Sequence, residues 1–259
     1  MNTISRNNKT SKLNFKLMAA YFMESGESVR VEVNDFFGNF DYDQNYEKPN
    51  KELFVTGPIF LNDVCINDTF KITIQKIENN NKGITSSGEV VDVKDVSKLS
   101  LGFIGVPNKK QNVVSTEIGS HGGNLEFIEI KENATIYLPI YSDGGYLFVG
   151  NLFTHQENKK IYLSGTVQLK VQAVKNFKIK APIVVNQDKI HFLYTNKSEE
   201  RAKIELEKII TKHLTTFEDL KKEYVLKLIQ DKIELVNDIE SNKLYKLTLD
   251  YNLFTHKYL

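Results

Sequence analysis

Phe70-Lys71-Ile72-Thr73-Ile74-Gln75-Lys76-Ile77 is the clearest periodic run in the chain, with apolar side chains at every second position from Phe70 to Ile74. Successive side chains of a strand point to opposite faces, so this run predicts a strand with one face on a core. Val29-Arg30-Val31-Glu32-Val33 repeats the alternation upstream. Val167, Leu169 and Val171 repeat it downstream, inside a strand predicted over 161–174. Shorter apolar stretches at 59–61, 101–106, 136–140, 146–149 and 190–194 carry the β-rich reading over about three quarters of the sequence. Thr56-Gly57-Pro58 reads as a turn ahead of Ile59.

The period changes after Thr195. Ala202, Leu206, Ile209 and Ile210 recur at helical spacing. Thr215-Thr216-Phe217-Glu218 fits a capping box and predicts a second helix from Thr215, with Leu220, Tyr224 and Leu228 inward. That helix either continues through Ile233 and Val236 or breaks near Gln230. Residues 197–234 hold nine basic and nine acidic side chains, the mixture of solvated helix faces rather than of a nucleic-acid surface. Leu244, Tyr245, Leu247 and Leu249 predict a last strand or extended return. Strands first and helices last make the fold class α+β, predominantly β with C-terminal helices.

The chain has 259 residues, 34 basic and 33 acidic, so no global field favours nucleic acid or anionic lipid. Its single cysteine, Cys65, excludes an intrachain disulfide and a cysteine zinc cluster. Flanked by Val64 and Ile66, it reads as a buried thiol. No run of about 20 apolar residues predicts a membrane-spanning helix. Residues 1–12 are polar, lack the apolar core of a secretory leader, and read as a flexible start; the expected location is the cytoplasm. Residues 13–95 are expected to form an N-terminal β-rich subdomain. Residues 96–259 are expected to form a second, carrying the helices.

Chemistry concentrates in Gly119-Ser120-His121-Gly122-Gly123-Asn124-Leu125-Glu126. Paired glycines let backbone approach a ligand closely, or adopt angles closed to other residues. His121 offers a nitrogen for proton transfer or a metal, and Asn124 pairs a donor with an acceptor. Glu126 offers a base or a ligand. The same run also reads as a tight turn whose polar groups cap backbone. Asp35, at the end of a periodic strand, either binds a metal or water, or closes an Asx turn in the loop predicted over 36–50. Asn151 and Gln168 can hydrogen-bond a substrate but carry no charge. No Gly-x-Ser-x-Gly elbow supports a serine hydrolase.

At these motifs the chain resembles the acetamidase/formamidase family, over about residues 15–235. The resemblance runs through Val29-Arg30-Val31-Glu32-Val33-Asn34-Asp35, Thr56-Gly57-Pro58-Ile59-Phe60-Leu61 and Ile66-Asn67-Asp68-Thr69-Phe70. It is strongest at His121-Gly122-Gly123-Asn124-Leu125-Glu126, Ile136-Tyr137-Leu138-Pro139-Ile140 and Gly144-Gly145-Tyr146-Leu147-Phe148. It implies hydrolysis of short linear amides with release of ammonia, by a homo-oligomer assisted by a divalent metal (zinc or calcium), with no organic cofactor and no nucleic-acid or membrane partner. It implies Asp35, His121 and Glu126 as catalytic and metal-binding residues. Gly122, Gly123, Asn124, Asn151 and Gln168 would hold a small amide or related polar ligand.

The departures fall on acids. Where the family has Asp after Gly-Gly-Asn-x, this chain has Glu126. The Gly-Asp-x-His segment becomes Gly150-Asn151-Leu152-Phe153, and Gly-Asp-Gly-Glu becomes Glu157-Asn158-Lys159-Lys160. A later family Glu falls near Gln168. The alternative reading is therefore an inactive relative that binds a small ligand or a protein. Asp35, His121 and Glu126 gathered around an ion favour the enzyme; a pocket closed by Phe153 or occupied by Lys159 or Lys160 favours the alternative.

Overall fold

The computed structural model describes residues 1–42, 52–79, 81–108, 112–239 and 242–254. Residues 43–50 of the loop predicted after Asp35 lie outside them. The three alternating runs form strands, Ser28–Val33, Thr69–Glu78 and Gly165–Val174. Among the described residues they lie in a nine-stranded sheet. Its order is Asn2–Ile4, Ser28–Val33, Gly165–Val174, Thr69–Glu78, Thr135–Pro139, Ile183–Asn186, Lys189–Thr195, Asn242–Asp250 and Ile233–Ile239. Every pairing is antiparallel except that of Asn2–Ile4 with Ser28–Val33.

Alternation sorts this sheet's side chains between two cores. Ile136 and Leu138 join Ile72, Ile74 and Leu169 in the first core, while Tyr137 between them joins Phe192, Tyr245 and Leu247 in the second. The second core lies under two helices, α1 (Glu199–Phe217) and α2 (Lys222–Ile229). On α1, Ala202, Leu206, Ile210 and Leu214 are buried; their four-residue spacing makes one apolar stripe. Ser198 caps its start, accepting the Arg201 N–H at 3.4 Å. At the other end of the sheet Arg30, Glu32 and Gln168 stay only half-buried, on the face away from the core.

The first core is closed by two further sheets. One runs Ile118–Gly119, Gly122–Gly123, Ile104–Gly105, Leu147–Val149, Val55–Leu61 and Lys9–Thr10, with Tyr21–Met23 also on Val55–Leu61. The other runs Ser100–Leu101, Leu152–Gln156, Lys159–Leu163, Lys82–Thr85 and Val90–Asp92.

Several expectations need correction. Residues 1–12 are not a free start: Asn2–Ile4 and Lys9–Thr10 both enter sheets, where backbone pairing outweighs their polar side chains. Thr56-Gly57-Pro58 lies within the Val55–Leu61 strand, beside a register shift against Leu147–Val149. The strand predicted over 161–174 divides at Ser164 into Lys159–Leu163 and Gly165–Val174, which belong to different sheets. Thr215 caps nothing: its hydroxyl donates to Thr211 O at 2.8 Å inside α1, and the second helix starts at Lys222. Ile233 and Val236 lie on a strand. Cys65 is exposed, because its N–H bonds Asp68 Oδ2 at 3.0 Å and bends the chain into a surface turn. The nine-stranded sheet draws strands from both sides of residue 95. No helix among the described residues is long and apolar enough to cross a membrane.

Two histidines belong to this packing. His213 on α1 is ringed by Phe177, Phe192 and Phe217, and burial lowers its pKa to about 4. His191 shares a 2.9 Å hydrogen bond with Thr248 Oγ1, and burial lowers it to about 4 against the pull of Glu129. Both are held neutral, whereas in the unfolded chain they protonate near 6.5. Their contribution to stability is therefore complete above pH 6.5 and is lost as pH falls toward 4. Urea unfolding across that window is expected to show a smaller pH slope for His213→Leu than for the parent chain.

Candidate functional site

The two glycines meet neighbouring backbone. In the hairpin of Ile118–Gly119 and Gly122–Gly123, both Gly122 and Gly123 have positive φ, +85° and +101°. A methyl group would stand 2.3 Å from Ile104 O at Gly122 and 2.1 Å from Glu117 O at Gly123. Only glycine fits either place. The His121 ring rests against this backbone: a methyl at Gly119 would lie 2.7 Å from its Nδ1, and one at Gly123 3.2 Å from its Nε2. His121 is buried and lines a cavity of about 460 Å³ with Glu117, Ser120, Lys197 and Asn242. No other predicted site residue lines that cavity.

Asp35 is wholly buried at the end of the Ser28–Val33 strand and closes its own loop. Its Oδ1 accepts the N–H groups of Phe37 and Asn39, each at 2.8 Å, and its Oδ2 accepts the Asn39 side-chain amide at 3.3 Å. Tyr42 adds a further hydrogen bond, and the Tyr42 oxygen also accepts the Ser164 N–H at 3.1 Å. Burial raises the Asp35 pKa, opposed by these donors. The Asx-turn reading describes this arrangement. Gln168 lies on the outer face of the nine-stranded sheet, donating to Gln75 Oε1 at 3.1 Å.

Three predicted residues do converge: Asn124, Glu126 and Asn151. Glu126 has φ +43°, and its side chain is only 5% exposed. Its Oε1 accepts the Asn124 amide at 3.1 Å. Its Oε2 accepts from Lys160 Nζ at 2.5 Å. Tyr162 also bonds Glu126, and burial together with the Glu126 charge raises the phenol's pKa. Gly102 ties Asn151 to the same place. Its N–H donates to Asn151 O at 2.7 Å, and its carbonyl accepts the Glu126 N–H at 3.0 Å. The Asn151 amide sits directly over Gly102, where a methyl would be 2.4 Å from its Nδ2. Asn124 Oδ1 and both amide atoms of Asn151 are buried without a hydrogen-bond partner among the described residues.

Strand register supplies the rest of the cluster. Leu152–Gln156 pairs Lys159–Leu163 with Phe153 opposite Tyr162 and His155 opposite Lys160. Opposed residues share a face, so these four side chains lie together. Lys160 Nζ lies 5.8 Å from the Phe153 ring centre, and Phe36 and Phe37 pack on Tyr162 at 4.7 and 5.6 Å. Burial and the Lys160 charge lower the His155 pKa, against Glu126. In the sequence Lys160 stands in an acid's place and is a candidate to occupy the pocket, whereas nothing there singles out Tyr162 or Gly102. The alternation of Lys160 and Tyr162 is the signal that pairs them.

A divalent ion needs anionic or lone-pair ligands left open to it. Here one Glu126 oxygen holds an ammonium and the other an amide, while both Asp35 oxygens hold loop donors. Asn124 and Asn151 bring no charge. Among the described residues no group of three His, Cys, Asp or Glu side chains is arranged to hold a metal. The residues present do not fit the ion that the resemblance implies.

The role of Asp35 can be read from stability. Asp35→Asn keeps an acceptor for the Phe37 and Asn39 N–H groups and removes a buried charge, so it is expected to unfold in urea near the parent's midpoint. Asp35→Ala orphans both donors and is expected to cost about 1–3 kcal/mol.

No family model matches the sequence, and no curated protein matches it. Solved structures do. A recombinant predicted acetamidase/formamidase from Thermoanaerobacter tengcongensis superposes with TM-score 0.86 at 23% identity, over 99% of this chain and 97% of that one. An acetamidase from Bacillus halodurans superposes with TM-score 0.83 at 20% identity, over 96% and 97% of the two chains. An acetamidase from Yersinia enterocolitica gives 0.84 at 17%, over 98% and 93%. These superpositions establish that the chain has the acetamidase/formamidase fold.

Proposed function

We propose that this chain uses an amidase scaffold as a binding protein, and that its Glu126 centre does not carry out metal-assisted amide hydrolysis. The observation that carries this reading is Lys160 Nζ at 2.5 Å from Glu126 Oε2. The ammonium occupies the carboxylate that would otherwise hold an ion or activate water. Phe153, fully buried beside it, closes the same face. In this reading the ligand is a small amide or related polar molecule, or a protein. In this reading the chain self-associates, as the family resemblance implies, and works in the cytoplasm, the location expected from its sequence.

A second reading is hydrolysis of short linear amides such as formamide or acetamide. The superpositions with acetamidase structures over 96–99% of the chain favour it. There Glu126 would act as base once Lys160 had moved off it, and the amides of Asn124 and Asn151 would hold the substrate.

Ammonia release separates the two. The folded chain, supplied with zinc or calcium, is expected to release no more ammonia from formamide or acetamide than buffer does, and Glu126→Gln is expected to match it. Metal-stimulated release that Glu126→Gln abolishes would overturn the binding-protein reading.

A further inference from the structure

A second cavity, of about 450 Å³, lies between α1 and the connection that precedes the Ile183–Asn186 strand. Its volume falls within the roughly 300–1,000 Å³ range of small-molecule sites. Ile179, Ile183, Phe192, Ile209 and Phe217 make its walls apolar. One buried polar group interrupts them. His213 is 6% exposed, lines the cavity, and has no hydrogen-bond partner for Nε2 among the described residues. Such a group is costly to bury unmatched, and a ligand oxygen would satisfy it.

Charge at the cavity is one-sided. Lys178, Lys180, Lys208 and Lys212 line it against a single acid, Glu205. Glu205 is already paired with Lys208 at 2.8 Å. Lys178 Nζ donates to the neutral side chain of Asn67 at 2.8 Å. Lys178, Lys180 and Lys212 therefore have no acidic partner among the described residues. An apolar wall, an unmatched buried imidazole and three uncompensated ammonium groups suit a molecule with an apolar body and one anionic head.

We propose that this cavity binds a small apolar monocarboxylate, its hydrocarbon body against Ile179, Ile183 and Phe192 and its carboxylate held by His213 and the lysines. Neutral His213 donates one hydrogen bond from Nε2–H to a carboxylate oxygen, and Lys180 and Lys212 supply the field. The site is separate from the Glu126 cluster and stands whether or not that cluster hydrolyses amides.

Calorimetric titration of the full chain with octanoate tests this, with octylammonium as the matched cation. Octanoate is expected to bind saturably and octylammonium about tenfold or more weaker. His213→Phe and the surface double variant Lys180→Glu/Lys212→Glu are each expected to weaken octanoate about tenfold. The proposal is overturned if octanoate does not saturate, if octylammonium binds as well, or if the variants bind octanoate like the parent. Should His213→Phe fail to fold by circular dichroism, the exposed double-lysine variant decides.

Discussion

The register of one hairpin decides which side chains surround Glu126. Phe153 stands opposite Tyr162 and His155 opposite Lys160. Because side chains alternate, a slip of one residue would present Thr154, Lys159 and Ile161 in their place. In the register observed, Lys160 reaches a carboxylate buried by Asn124, Gly102 and Tyr162. Removing one partner of such a buried pair costs about 3–5 kcal/mol, so the lysine stabilises the burial of Glu126. Register and electrostatics agree, and each makes the other less free to change.

The scaffold around the hairpin follows more permissive rules. The nine-stranded sheet needs apolar residues at alternate positions, and two cores accept many combinations of them. At its helical end Tyr137, Phe192 and Tyr245 face one core while Ile136, Leu138 and Leu193 face the other. These demands are met at 17–23% identity to the superposed structures. Chemistry does not travel so easily, because a site depends on particular groups rather than on a pattern. A fold retained over nearly the whole chain is compatible with an ammonium on the central carboxylate.

Much of this architecture was legible in the sequence, and the exceptions share causes. Period-two runs at 29–33, 70–74 and 167–171 became strands because both their faces have different neighbours. The helical stripe from Ala202 to Ile210 was readable for the same reason. Local punctuation misled where tertiary pairing overrode it: Gly57-Pro58 entered a strand, Thr215 bonded back within its helix, and Asn2, Thr3 and Ile4 joined a sheet edge. Around the site, the Gly-Gly-Asn run holds Asn124 and Glu126, which bond each other. Asn151 joined them through Gly102, a backbone contact that no motif reveals. Gln168 separated from them because its alternation, sandwiched between Val167 and Leu169, turns it away from the core. Asp35 had two open readings, and only its bonds to Phe37 and Asn39 distinguish them. Choosing Lys160 over Lys159, and finding Tyr162, needed the register, a property of two strands together.

The most direct test is to see what Glu126 holds when metal is plentiful. Crystals grown with excess zinc and calcium, with data collected at the zinc edge, would show it. Lys160 Nζ is expected still on Glu126 Oε2, with no anomalous peak at bonding distance from that carboxylate. A metal ion ligated by Glu126, with Lys160 swung away, would contradict it.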